Sequence, residues 1–427
     1  MLADSSSALP RVVKTLSPRT NLKEIPPRDS LAYTERFSKE RLSHCRLLGD
    51  PLADTVVAEL HAKHGGLTNI HDLLATVRLK ATGVEGHTGD IFRNFLKSIE
   101  EVPSWANRNM IERGQRVHAV NLPFMGLSLF SGSLVGGAQF ITAATVTALA
   151  GNITTNPTRR IDETGMLLAA LAFPGSLFSA GSEAHDSLTR VRLLHGALRH
   201  WLPRSGRLRP LKSIVPEYMY VEGEVPINQQ DLAITLAVFC YINLRSLRRM
   251  GVVLSSWDIK CYVQMWRYAG YVLGIVDELL PETLEDQEEF MLCSMLHQGA
   301  PDLIPGKPVR NFISAFSNKA NKNSYGVLPT AIVQTFLEQM TRHLNGMDYV
   351  SLDTENLGDR HWSVRLIKAL GWSFGTVLPR LPFMETALFH LHTYQIRKAL
   401  QKRGTPTGHG AGTGESIKEE QVARSRL

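Results

Sequence analysis

Thr158-Arg-Arg-Ile-Asp-Glu-Thr164 and Arg190-Val-Arg-Leu-Leu-His-Gly-Ala-Leu-Arg-His200 are the two ends of the stretch that decides how this chain is read. Each carries a polar triplet inside otherwise apolar sequence. Arg160, Glu163 and Thr164 stand at i, i+3 and i+4; Arg192, His195 and Arg199 stand at i−3, i and i+4. On a helix each triplet lines one face. A Pro174-Gly175 break lies between them, so two helices joined by that turn can face each other across a cavity. The bland alternatives are a packed histidine and an ordinary helix start. In the latter, Thr158 caps the helix and Asp162 and Glu163 complement its dipole.

The chemistry that suits one histidine between two arginines is narrow. A single imidazole cannot make a structural zinc site. It can hold haem iron from one side, because the porphyrin supplies the other four ligands. Arginines one turn either side could pair with the two haem propionates, and their charge disfavours imidazolium. On the facing helix, Thr164 could hydrogen-bond bound oxygen, Glu163 could act as a base and Arg160 could hold it.

Outward from this stretch the pattern is helical. Helices are expected at Leu52–His64, Asn69–Val77, Thr88–Ile99, Ala106–Val120, Glu183–Trp201 and Gln229–Met250. Others are expected from Ser256 to near Gly274, from Thr283 onward, at 308–320, 328–344 and 362–370, and at Pro382–Arg403. A small hairpin is expected at Ser213–Val225. Residues 1–40 read as a loosely structured leader with no apolar signal core, 41–403 as one helical domain, and 404–427 as a disordered tail. No charged residue occurs from Ala119 to Thr158. That window is long enough for a membrane span, but Asn121, Gln139 and many hydroxyls favour a buried helix pair.

Composition narrows the function classes. The 427 residues are 43% hydrophobic and 20% charged, with net charge +7, which fits a globular chain. The lysines and arginines are scattered, so nucleic-acid binding is not expected. Cys45, Cys240, Cys261 and Cys293 form no Cys-x-x-Cys pair, which argues against a zinc cage and for free thiols in a reducing compartment. His390 and His392, two residues apart, face away from each other on a helix. There is no phosphate loop, nucleophile elbow or dinucleotide fingerprint.

Several motifs carry a resemblance. They are Gly-Asp-Pro-Leu-Ala-Asp from Gly49, Val-Pro-Ser-Trp from Val102, Arg-Gly-Gln from Arg113, Arg-Val-Arg-Leu-Leu-His from Arg190, Val-Pro-Ile-Asn-Gln from Val225, and Trp-Arg-Tyr-Ala-Gly-Tyr-Val-Leu-Gly from Trp266. Over roughly residues 45–400 the chain resembles the rubber oxygenase (latex-clearing protein) superfamily, which includes the endoplasmic-reticulum-bound oxygenase of mycophenolic acid biosynthesis. The resemblance implies an all-α domain enclosing haem b. It implies His195 as the iron ligand, Arg192 and Arg199 beside it, and Arg160 and Thr164 on the distal side. Glu163 stands where rubber-cleaving members can carry a lysine. The uncharged window lacks their upstream glutamate, leaving Glu163 as the substitute base. The expected activity is an oxygenase using dioxygen on an apolar, isoprenoid-like substrate by oxidative C=C cleavage. The alternatives are a non-catalytic haem- or lipid-binding relative and a membrane-embedded protein. The expected location is the cytoplasm or an intracellular membrane, with peripheral membrane association compatible.

Overall fold

The computed structural model describes residues 30–64, 73–140, 157–204, 221–299, 313–318, 329–345 and 361–402, with backbone only at 157–163. The named helices are α1 (Lys39–Cys45), α2 (Pro51–His64), α3 (Leu73–Gly83), α4 (Gly86–Glu100), α5 (Arg108–Val120), α6 (Leu122–Ser128), α7 (Pro157–Ala170), α8 (Glu183–Trp201), α9 (Gln229–Ala237), α10 (Asn243–Arg249), α11 (Ser256–Val272), α12 (Leu284–Gln298), α13 (Thr330–Asn345), α14 (Trp362–Leu370) and α15 (Met384–Lys402). Among the described residues there is no strand, only a single bridge between Phe140 and Gly299. The fold is all-α, as the sequence implied.

Local chemistry sets many of the boundaries. The side chains of Asn228, Ser255 and Thr283 accept from Asp231, Asp258 and Asp286 backbone N–H groups at the starts of α9, α11 and α12. Each satisfies an otherwise orphaned helix donor. The expected helix Gln229–Met250 runs unbroken from Gln229 to Arg249, widened in its middle to a π-helical turn at Val238–Ile242, so that α9 and α10 are its two ends. The expected helix at Asn69–Val77 is described only from Leu73 and runs on to Gly83. Most of the expected hairpin lies outside the described residues; residues 221–225 form a turn at Gly223, which has φ +78°. The leader's last residues belong to the core. Phe37 is buried against Phe290, and Arg36 pairs with Asp286 at 2.5 Å. An isolated aromatic in polar sequence gave no periodic signal of that docking.

α5 and α11 cross at the centre. A Cβ on Gly114 would lie 2.4 Å from the Cys261 carbonyl oxygen, so only glycine permits this approach. Its neighbours in the Arg-Gly-Gln motif work outward. Arg113 joins Asp258 at 2.7 Å and also Glu385. The Gln115 amide donates to the carbonyls of Leu171 (3.0 Å) and Phe173 (2.7 Å) and accepts from Gly175 N–H (2.9 Å). One buried side chain thereby fixes the Pro174–Gly175 turn that joins α7 to α8.

The described part of the uncharged window is mostly interior, with Leu134 exposed. Met125, Phe130, Ser131, Ser133 and Val135 are all buried. No single helix among the described residues is long and apolar enough to cross a membrane. The pair Arg108–Val120 and Leu122–Gly137 passes on composition but bends by 81°. All four cysteines are free and buried.

Candidate functional site

α8 starts at Ser182 in an extended conformation, with Glu183 and Asp186 in the first turn and Arg199 and His200 in the last. Leu193 and Ala197 bury one side of it in a cluster with Ala53, Val57 and Phe95. The Gly196 position stands close to the Ala53 backbone, 3.2 Å from its carbonyl oxygen to a would-be Cβ. Ala184 and Leu188 bury a different flank in the main core. His195 is half-buried, and it follows those two by eleven and seven residues, which places it on their flank.

Both flanking arginines are committed, and to protein carboxylates. Arg192 grips Asp50 with two bonds, Nε to Oδ2 at 2.6 Å and Nη2 to Oδ1 at 3.0 Å. Its Nη1 reaches the Val272 carbonyl at 3.4 Å, and its guanidinium lies over the Phe95 ring at 5.3 Å. Asp50 also accepts from Ala53 N–H at 3.3 Å, capping α2. Arg199 donates from Nε to Asp54 at 2.7 Å and from Nη1 to the Ile227 carbonyl at 3.0 Å. Burial pushes the Asp54 carboxyl upward, and Arg199 pulls against it.

The sequence reading gave these arginines to haem propionates. The structure pairs Arg192 with Asp50 and Arg199 with Asp54, the two carboxylates of Gly49-Asp-Pro-Leu-Ala-Asp54. Sequence reasoning missed Asp50 and Asp54 as partners. The signal was present, as an acidic i, i+4 pair at a helix start.

Other motifs converge on the same knot. Gln229 donates to the carbonyls of Gly49 (2.8 Å) and Gly274 (3.0 Å) and accepts from Val276 N–H (3.0 Å). Gly274 has φ +81°, and a Cβ there would come within 2.5 Å of both Arg192 Nε and Asp50 Oδ2. Glycine is required on both counts. Motifs from Gly49, Arg190, Val225 and Trp266 thus meet at one buried ion pair three residues from His195.

α7 packs against α8. Arg160 and Glu163 fall on α7, and their side chains lie outside the described residues. Thr164, one position on, is half-buried. Farther along α7, the Leu168 carbonyl accepts from His118 Nε2 at 3.0 Å. Of the remaining histidines, His185 is buried with Nε2 on the Ile99 carbonyl at 3.1 Å, and His392 sits on the Ala119 carbonyl at 2.9 Å. Among the described residues no three His, Cys, Asp or Glu side chains gather as a metal cage.

His118 gives a pH prediction. Burial lowers its pKa from 6.5 to about 4. The unfolded chain therefore binds the extra proton in that window. The contribution is full above pH 6.5 and is lost as pH falls toward 4, on the order of 3 kcal/mol. Asp231 opposes it, since burial raises its pKa to about 7. The informative measurement is therefore a difference. His118→Gln keeps a donor for Leu168 but does not titrate, so its denaturation free energy should fall less than the wild type's between pH 7 and pH 5. Parallel curves would show that His118 does not titrate out of the fold.

The fold defines an all-helical domain in which α8, carrying His195, is clamped to the start of α2 by two ion pairs. The chain belongs to the family described as the ER-bound oxygenase mpaB/B'/Rubber oxygenase catalytic domain, whose model matches residues 116–365. It is 25% identical over 202 residues to the rubber oxygenase of Streptomyces sp. (strain K30), an alignment covering 46% of each chain. The match therefore spans about half the length of that curated relative. The solved structure of latex clearing protein LCP in the closed state superposes with a TM-score of 0.57 at 17% identity, covering 82% of this chain and 90% of that one. At that identity the likeness is one of fold. Asp50 and Asp54 lie before the residues that the family model matches.

Proposed function

We propose that the protein is a haem b-dependent oxygenase that uses dioxygen on an apolar, isoprenoid-like substrate, cleaving a carbon–carbon double bond. Membership of an oxygenase family supports the reaction class. The observation that carries the cofactor is His195, half-buried on a helix held at Arg192 and Arg199 by two ion pairs. One imidazole, with no cluster of three potential ligands among the described residues, suits a porphyrin, which brings its own four donors, and does not suit a bare ion.

Bound haem would supply the iron at which dioxygen reacts. The chain's part is to hold and surround it. His195 would hold the iron through a ring nitrogen. Asp50 and Asp54 keep Arg192 and Arg199 in place, and so fix the height and rotation of α8, as outer groups do around a metal ligand. On the α7 side, Thr164 offers a hydroxyl donor, Glu163 a carboxylate to hold or move a proton, and Arg160 a charge to hold that carboxylate. The uncharged sequence after Ala119 suits a greasy substrate.

Oxygen uptake by haem-loaded protein with a polyisoprenoid tests this reading. Consumption of dioxygen with appearance of aldehyde or ketone products is expected, and Glu163→Gln should slow it by roughly 10²-fold or more. The absence of any acidic residue from Ala119 to Thr158 favours a second reading, a haem-binding relative without turnover. Haem binding with no oxygen uptake across polyisoprenoid and terpenoid-tailed compounds would select it. The proposed location is the cytoplasm or an intracellular membrane surface.

A further inference from the structure

α14 is built inside out on one side. Val364 and Ile367 bury its inner face. Trp362, Leu366 and Leu370, at i, i+4 and i+8, form a second apolar stripe that faces solvent at 52%, 45% and 37% exposure. The chain continues in the same vein: Trp372 is 49% exposed, Phe374 53%, and Phe383 89%. Single exposed apolar residues need no explanation, but a helical stripe with large aromatics beside it does. Phe383 has φ +63°, a backbone conformation that a bulky residue rarely adopts. The start of α15 therefore holds an aromatic ring out in water at a conformational cost.

Charge says what this face is for. From Trp362 to Lys402 the sequence carries six lysines and arginines against one acid, Glu385. That acid is neutralised internally by Arg113 and by Arg116 at 2.9 Å. Arg365 and Lys368 stand on α14 itself, Arg365 exposed and Lys368 half-buried. Tryptophan and phenylalanine among cations is the composition of an element lying in the headgroup region of a bilayer. The face also adjoins the uncharged segment. A Cβ on Gly375 would lie 3.3 Å from the Phe124 ring on α6, and Leu122 at the start of α6 packs in one cluster with Ile396, Phe389 and Leu400 of α15. α6 thus lies between the turn that follows α14 and the helix α15.

We infer that the α14–α15 face is a docking surface for an anionic lipid bilayer, with Trp362, Leu366, Trp372 and Phe383 inserted at the headgroup level and Arg365 on the lipid charges. This rests on exposure, helical register and charge, and stands whether or not the haem assignment holds. It would place the helices around the uncharged segment against a phase in which apolar substrates dissolve.

The experiment is co-sedimentation of the full chain with vesicles of phosphatidylcholine alone and of phosphatidylcholine with phosphatidylserine. Binding is expected on the mixed vesicles and is expected to weaken with added salt. Each cation near an anionic leaflet strengthens binding by about fivefold, so Arg365→Glu should weaken it by roughly fivefold or more. Trp362→Ser with Leu366→Ser should weaken it by at least ~10-fold through lost insertion. Phe383→Ser, at the most exposed position, supplies a second apolar test if the α14 variant fails to fold. Failure to sediment with mixed vesicles would overturn the inference, as would unchanged binding of folded apolar variants. A dimer in light scattering that the same apolar substitutions dissociate, without vesicle binding, would assign the face to a second copy of the chain instead.

Discussion

His195→Ala should abolish haem binding: the purified variant, even after reconstitution with haem, should show no Soret band where the wild type shows one. The expectation follows from the donor set. Among the described residues no cluster of three potential ligands exists to hold an iron ion without a porphyrin. His195 is the single imidazole on the α8 flank shared with Ala184 and Leu188. Removing it leaves the two clamps in place, because Arg192 and Arg199 bond to Asp50 and Asp54 and not to the histidine. Helical content and thermal midpoint should therefore stay near wild type, within the ~1 kcal/mol of an ordinary substitution. Free imidazole added to the variant should restore part of the spectrum by entering the space of the lost ring. Full haem retention by a folded His195→Ala protein would sink the ligand assignment and with it the proposed oxygenase. Absence of haem from the wild type would do the same, leaving the lipid-docking face as a separate question.

Asp50→Ala should be the most destabilising single change near the site. Asp50 and Arg192 are both buried, at 3% and 5% exposure. Truncating one partner leaves a guanidinium in the interior without its counter-charge, a loss of about 3–5 kcal/mol. The α2 cap goes as well, at about 1 kcal/mol. Urea denaturation should show the fall as a lower midpoint with an unchanged slope. Asp54→Ala should cost less, since the Asp54 side chain is 35% exposed and water can replace its bonds. The double variant Asp50→Leu with Arg192→Met should recover much of the loss, because the uncompensated charge is gone. The recovered protein should still bind haem more weakly, as α8 would no longer be held in one register. If Asp50→Ala and Asp54→Ala were equally mild, the ion pair would not be the clamp described above.

These two experiments separate what lies in α8 from what lies across from it, and the same division runs through the molecule. The helices, their caps and the grouping of Arg192, His195 and Arg199 on one side of α8 were legible because they depend on residues three or four apart. Asn228, Ser255 and Thr283 act on backbone groups within that range. The family, and through it the all-α class, was legible in short motifs for the same reason. Arg160, Glu163 and Thr164 were assigned to one helix in the same way, and α7 contains all three.

The partners of the arginines were not legible. Arg192 meets Asp50 across 142 residues of sequence. Nothing local distinguishes a carboxylate on a neighbouring helix from one on a propionate. That choice depends on α2 packing against α8, on Gly196, which lets the Ala53 backbone approach, and on Gly274, which leaves room for the Arg192–Asp50 pair. Phe37 in the core, the widened turn at Val238–Ile242 and the outward apolar stripe of α14 belong to the same group. Helical periodicity says which residues share a face. Which face is covered, and by what, is settled by the packing of the whole chain.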